Sequence, residues 1–130
     1  MVLDSHVLVW WLSETKLLSR NARKAIAAAE EASSLVVSAI SVFEIVTAVR
    51  RGRLQFTRTT DSWLADAFSL PQLRFQPIST EIARIAADFG EEMHGDPADR
   101  IIAATAFVLG APLITADAKL RVCPAVKTIW

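Results

Sequence analysis

The chain has 130 residues, 52% hydrophobic and 22% charged, with 14 lysines and arginines against 14 aspartates and glutamates. That length and composition exclude a disordered chain and predict one domain, residues 1–130, able to bury a core. A formal net charge of zero excludes a globally basic nucleic-acid binder, so only a local patch is left for that role.

The lone cysteine, Cys123, has no internal disulfide partner, and no Cys/His spacing suits zinc, which fits a reducing cytoplasm. The opening MVL runs directly into an aspartate, without the basic stretch of a signal peptide. The longest uncharged apolar run, 101–116, is shorter than the ~18–20 residues of a membrane span and is broken by Gly110-Ala111-Pro112. These features predict a soluble cytoplasmic protein with no membrane segment.

In chain order, a first strand is expected to end at Asp4, with a helix beginning just after. Ser19 caps an alanine-rich helix, RNARKAIAAAEEA, and LVVSA (35–39) is a buried β-branched strand. SVFEIVTAVRRGRL reads as a helix opened by a capping box, Ser41 with Glu44 three later, and stopped at Gly52. Thr60 leads a short helix to Pro71, LRFQPI (73–78) is a strand that ends near Pro77, and residues 80–93 show apolar residues at helical spacing. Asp96-Pro97 opens a helix over 97–109 closed by Gly110, PLIT (112–115) is a strand, and KTIW (127–130) is a last one. Strands alternating with helices predict an α/β domain of three layers, with a mostly parallel sheet of four to five strands.

Right-handed crossovers bring strand ends and the following helix starts to one sheet edge, where such folds bind ligands. Four acids fall there: Asp4 after the first strand, Glu44 near the start of the helix after LVVSA, Asp99 in the first turn of the 97–109 helix, and Asp117 just after PLIT. Two like charges at 4 Å repel by about 4 kcal/mol at an effective dielectric of about 20, so a hard, oxygen-seeking cation, Mg²⁺ or Mn²⁺, is expected among them. Each acid also has a plainer reading: Asp4 as a turn residue, Glu44 as the capping-box partner, Asp117 as the start of the short helix ADAKL. Asp4 stands out because it interrupts an apolar run.

Asp96 and Asp99 are told apart by Pro97. Proline prefers the first helical position, which makes Asp96 the N-cap, a candidate only for an outer contact to the site. Asp99 then lies on one stripe with Ile102, Ala103 and Ala106 and points to the sheet edge. Ser5 is read either as a turn serine or as a hydrogen-bonding neighbour of the acids. His6 and His94 lack zinc-ligand spacing and read as polar, partly exposed residues; the four tryptophans read as core or interface. Arg50, Arg51, Arg53 and Arg58 follow one another without an acid, either as a solvated helix end or as a patch for RNA phosphates.

Taken together, LDSHVLVWWL, SAISVFEI, HGDPADRIIAATA and GAPLITAD resemble, over essentially the whole chain, the PIN-domain superfamily and within it the VapC-type toxins of type II toxin–antitoxin systems. SAISVFEI matches that family's Ser-x-x-Glu, and the last two stretches match its Asp-x-x-Ile-Ala-Ala-x-Ala and Thr-x-Asp, the latter pairing Thr115 with Asp117. The resemblance implies a PIN-like fold and a ribonuclease that hydrolyses phosphodiester bonds of tRNA, rRNA or mRNA. It implies one or two Mg²⁺ or Mn²⁺ ions held by Asp4, Glu44, Asp99 and Asp117, and a metal-activated water. Ser5, Asp96 and Thr115 are then supporting residues, and Arg50, Arg51 and Arg53 phosphate contacts. A VapB-type antitoxin, a homodimer, and a heterotetramer or larger assembly with the antitoxin are also implied. Two rival readings are a PIN-like RNA- or protein-interaction domain without turnover, and a Mg²⁺-dependent phosphotransfer domain. The second is disfavoured because Asp4-Ser5-His6 lacks the Asp-x-Asp of haloacid-dehalogenase-like enzymes.

Overall fold

The computed structural model describes residues 1–93 and 95–130; His94, read above as a polar residue, lies outside the described residues. Five strands form one all-parallel sheet: β1 (Val2–Leu3), β2 (Leu35–Ser38), β3 (Leu73–Gln76), β4 (Leu113–Ile114) and β5 (Thr128–Ile129). Their order is β3-β2-β1-β4-β5. The helices are α1 (Ser5–Ser13), α2 (Arg20–Glu31), α3 (Ala39–Arg50), α4 (Thr60–Ser69), α5 (Thr80–Asp88), α6 (Pro97–Val108) and α7 (Ala118–Arg121), with a 3₁₀ turn at Thr15–Leu17. The expected α/β class and near-parallel sheet are therefore present.

The period-two alternation of the strands sorts the core into two halves. Leu3, Leu35, Val37 and Ile114 face one side, where they pack with Val7 and Leu8 of α1, Ile26 of α2, Ile45 of α3 and Leu64 of α4. Val2, Val36 and Leu113 face the other, against Ile102, Ala103 and Ala106 of α6 and Leu120 of α7. Helix α5 lies outside α6, joined through Ile82, Ala86 and Ala104. Small residues on α6 let it lie close to the sheet on one face and to α5 on another.

Several boundaries differ from the sequence expectation, most of them by a residue or two at the strand ends. Helix α3 starts at Ala39 and not at Ser41: Ser38, at the end of β2, is the N-cap and accepts from the Ile40 amide at 3.3 Å. The expected Ser41/Glu44 capping box is thus absent, because the helix begins as soon as β2 leaves the sheet. Helix α5 ends at Asp88, ahead of Gly90, and not at 93. Strand β3 does end near Pro77 as expected, its last residue being Gln76, because proline has no N–H to give a ladder. Helix α4 takes Thr59 as its cap, with Thr60 inside it. Gly52 closes α3 as expected. At φ 72 it donates to Val49 O at 3.0 Å while Arg53 N donates to Ala48 O at 2.8 Å, the paired bonds of a Schellman turn.

The chain passes from β1 outward to β2 and β3, then returns across β1 to β4 and β5. The order reverses between β1 and β4, and a crevice opens at the carboxyl ends of strands at such a switch point. Asp4 directly follows β1 there, and Thr115 directly follows β4.

Candidate active site

Asp4 occupies the N-cap position of α1, yet its carboxylate does not cap that helix. It turns across the switch point to β4, where Thr115 Oγ1 donates to Asp4 Oδ2 at 2.6 Å. Thr115 Oγ1 in turn accepts from the Asp117 amide at 3.0 Å, fixing the turn that carries Asp117. Asp4 is only 4% exposed and Thr115 is fully buried. Burial pushes the Asp4 carboxyl above its ordinary value; the Thr115 hydrogen bond opposes that rise, and Asp117 adds to it.

Glu44 approaches from α3. Ser5 Oγ lies 2.7 Å from Glu44 Oε1 and 2.7 Å from Ser41 Oγ. A hydroxyl has one proton, so the arrangement runs from Ser41 to Ser5 to the Glu44 carboxylate. The displaced start of α3 makes this possible, since Ser41 is buried against Ser5 instead of capping. Burial raises the Glu44 pKa, the Ser5 hydrogen bond lowers it, and repulsion from Asp4 and Asp96 raises it further.

Asp96 and Asp99 arrive together on α6. Asp96 is the N-cap, Oδ1 accepting from the Ala98 amide at 2.9 Å, with Pro97 at the first helical position. Asp96 is also part of the cluster: one oxygen each from Glu44, Asp96 and Asp99 lie within 4.8 Å of one another. Asp99 is half-buried, and its pKa is raised to about 7, first by burial and then by Asp96, Asp4, Asp117 and Glu44 in turn. All four of those acids repel it, so five carboxylates share one region. Asp117 sits at its margin, where Oδ1 accepts from Lys119 N at 2.8 Å and caps α7.

Among the described residues, no ion pair involves any of the five acids. A set of carboxylate oxygens with no ion pair among the described residues, eased only by attraction of Asp4 and Glu44 to His6, fits a hard divalent cation. The donor set contains no sulfur, and His6 is exposed at its edge.

Two further residues shape the site without having been legible as such. Ser41 was hidden behind its apparent capping role. Arg100, immediately after Asp99, turns away from the acids: its Nε donates to Ala86 O at 2.8 Å, Nη1 to Met93 O at 2.7 Å, and Nη2 to Ala87 O at 3.3 Å and to Phe89 O. One guanidinium thereby ties the end of α5 and the chain beyond it to the helix that carries Asp99. An arginine opening the apolar stretch that follows it was the available signal.

A cleft of about 460 Å³ runs from Ser5, Glu44 and Asp96 along α3 to Arg51 and Arg53. The arginine run of the sequence is divided by the fold. Arg51 and Arg53 line this cleft, Arg50 is exposed outside its lining, and Arg58 pairs with Asp66 at 2.5 Å. Trp63 is core, stacked on Phe56 at 4.6 Å, whereas Trp10 reaches the cleft wall.

A parallel sheet whose switch point gathers carboxylates from four separate segments defines a class: an α/β domain with an acidic carboxyl edge. The PIN domain family matches residues 1–125, and the chain belongs to that family. It is 38% identical over 132 residues to Ribonuclease VapC22 of Mycobacterium tuberculosis, covering 100% of this chain and 98% of that protein. Its fold is similar to that in VapBC2 of Rickettsia felis bound to a DNA fragment from their promoter (TM-score 0.73, 16% identity, 98% of this chain and 95% of the other). It is also similar to FitAcB of Neisseria gonorrhoeae (TM-score 0.68, 21% identity, 98% and 94%). These findings leave the phosphotransfer reading without support. No helix among the described residues is long and apolar enough to cross a membrane.

Proposed function

We propose that this protein is a divalent-metal-dependent ribonuclease and the toxin of a type II toxin–antitoxin pair. The observation that carries the reading is the convergence of Asp4, Glu44, Asp96, Asp99 and Asp117 at one sheet edge, with no cationic side chain paired to them among the described residues. The relative named as a ribonuclease, aligned over the whole chain, supports RNA as the substrate. The toxin–antitoxin complexes among its structural relatives support a VapB-type antitoxin as partner; the cytoplasm is the proposed place of action.

Asp4, Glu44, Asp99 and Asp117 hold Mg²⁺ or Mn²⁺ in this reading, with Asp96 beside them. A bound cation would supply charge to the scissile phosphate and lower the pKa of a water near it. The chain's own contribution is placement. Thr115 aims Asp4 from β4, the Ser41–Ser5 pair aims Glu44, and Pro97 and the Asp96 cap set the start of α6 and so the position of Asp99. Metal-free, the half-buried Asp99 is protonated over much of the acidic range; a cation in the cluster favours its charged form.

The test is cleavage of RNA by the purified chain with Mg²⁺ or Mn²⁺, with and without EDTA. Cleavage is expected with metal and lost with EDTA, and Asp4→Asn and Asp99→Asn are expected to abolish both cleavage and growth arrest while keeping the fold. Full cleavage in EDTA, or growth arrest persisting in either variant, contradicts the reading.

A further inference from the structure

We propose that the cleft along α3 binds one unstacked nucleotide of a single-stranded RNA, next to the phosphate that is cut. This rests on the ribonuclease reading and adds to it a seat for one base and for the phosphate that follows it. The cleft begins at Glu44 and Asp96 and ends at Arg51 and Arg53, with Val9, Trp10, Phe43 and Leu54 among its lining.

Its chemistry changes along its length in the order that a nucleotide chain requires. At one end are the acids, where a metal-bound phosphate would sit. Next comes an apolar wall. Phe43 is 67% exposed, one residue before Glu44 on α3, and makes no contribution to either main core cluster. Trp10 stands on α1, half-buried between His6 and Trp130, with ring centroids 5.9 and 5.8 Å away. Exposed aromatic faces beside a phosphate site suit a splayed base, since every base has a π-face.

At the far end are two arginines. Glu44 and Arg51 are seven residues apart along one helix and its C-cap, two turns and about 10 Å along the axis. The Schellman turn at Gly52 then reverses the chain so that Arg53 faces the same cleft as Arg51. Neither is ion-paired among the described residues. A free guanidinium is suited to the next phosphate along the strand. The apolar segment of a protein partner would cover Phe43 and Trp10 but leave this pair unanswered, so charge complementarity favours the nucleotide. A duplex keeps its bases stacked and offers none to the wall.

The experiment titrates the protein, in EDTA so that nothing is cut, into single-stranded RNA oligonucleotides carrying 2-aminopurine at successive positions. Fluorescence anisotropy gives affinity, and 2-aminopurine emission reports stacking. Wild-type protein is expected to bind the single strand more tightly than the matching duplex and to change the emission at one position. Phe43→Ala is expected to remove that change and weaken binding about tenfold. Arg51→Gln/Arg53→Gln is expected to make the salt dependence shallower by about 0.7 in log–log slope for each phosphate no longer neutralised. All three positions are exposed, and circular dichroism checks that the variants fold. In Mg²⁺, the same variants are expected to raise KM with kcat within about twofold. Equal affinity and emission for wild type and variants, or duplex bound as tightly as single strand, overturns the proposal and gives the cleft to a protein partner. Intact RNA binding without cleavage in metal counts against the ribonuclease reading alone.

Discussion

Replacing Asp99 by asparagine is expected to make the metal-free protein more stable, not less. Asp99 titrates near 7 in the folded chain against an ordinary 3.8, because it is half-buried among four other acids. Charging a carboxyl so displaced costs roughly 4 kcal/mol. Asp99 is partly exposed, and solvent screening halves this to about 2 kcal/mol. The sign follows from proton binding. Between about 4 and about 7 the folded chain holds a proton that the unfolded chain has lost, so stability falls as pH rises through that window and is level above it. Asparagine has no such dependence. Its advantage over aspartate is therefore roughly 40% developed at pH 5 and complete at pH 8. For 130 residues at about 2.1 cal/mol/K each, 2 kcal/mol corresponds to a Tm about 7 °C higher. The assay is thermal denaturation in EDTA at pH 5 and pH 8 at one fixed protein concentration, repeated with Mg²⁺. Added metal is expected to raise the wild-type Tm by binding only the folded chain, about 2.7 kcal/mol at a hundredfold excess over Kd, and to raise the variant's far less. An asparagine variant less stable than wild type at pH 8 in EDTA, or a gap equal at the two pH values, refutes the electrostatic account of the cluster.

Two predictions concern the frame around the site. Arg100→Ala strands the carbonyls of Ala86, Phe89 and Met93 that one fork now satisfies, and is expected to cost about 2–3 kcal/mol in urea denaturation, with faster amide exchange over 86–93. Arg100→Lys is expected to recover less than half of that, since an ammonium lacks the planar fork; full recovery means that charge alone matters there. Ser33 holds φ 49 at the end of α2, where its amide bonds Glu30 O and the next amide bonds Ala29 O, the turn that Gly52 makes after α3. Ser33→Gly relieves the left-handed conformation and is expected to stabilise by about 0.5–1 kcal/mol in the same assay; a loss of stability shows that the serine is not strained.

Much of the scaffold was legible because local chemistry decides it. The α2 cap at Ser19, the Asp96-Pro97 start of α6 and the Gly52 stop each follow from who satisfies the end groups of a helix, and no distant residue alters that. The start of α3 differs from expectation for an equally local reason. Ser38 and Ser41 stand three apart, and either can cap. Only the length of β2, which ends in the sheet at Ser38 opposite Gln76 of β3, selects the first. That one choice released Ser41 to meet Ser5 and turned Glu44 from a capping partner into a residue facing the acids.

Asp96 shows a different limit. In sequence the cap leaves Asp96 only an outer contact to the site, but a carboxylate has two oxygens and about four lone-pair sites, so one residue can cap and join the cluster. Oδ1 serves the Ala98 amide while the side chain still joins Glu44 and Asp99. What no local pattern carried was the sheet order. Asp4 and Thr115 are 111 residues apart, and their 2.6 Å bond exists because β4 returns to pair with β1 instead of continuing outward from β3. Had β4 been added at that far edge, β1 would border β2 alone, Thr115 would lie beyond reach of Asp4, and Asp117 would be separated from Asp4 by two strands. The motif residues are thus written locally, but their chemistry depends on one long-range choice of neighbour, made by the apolar faces of Val2, Leu3, Leu113 and Ile114.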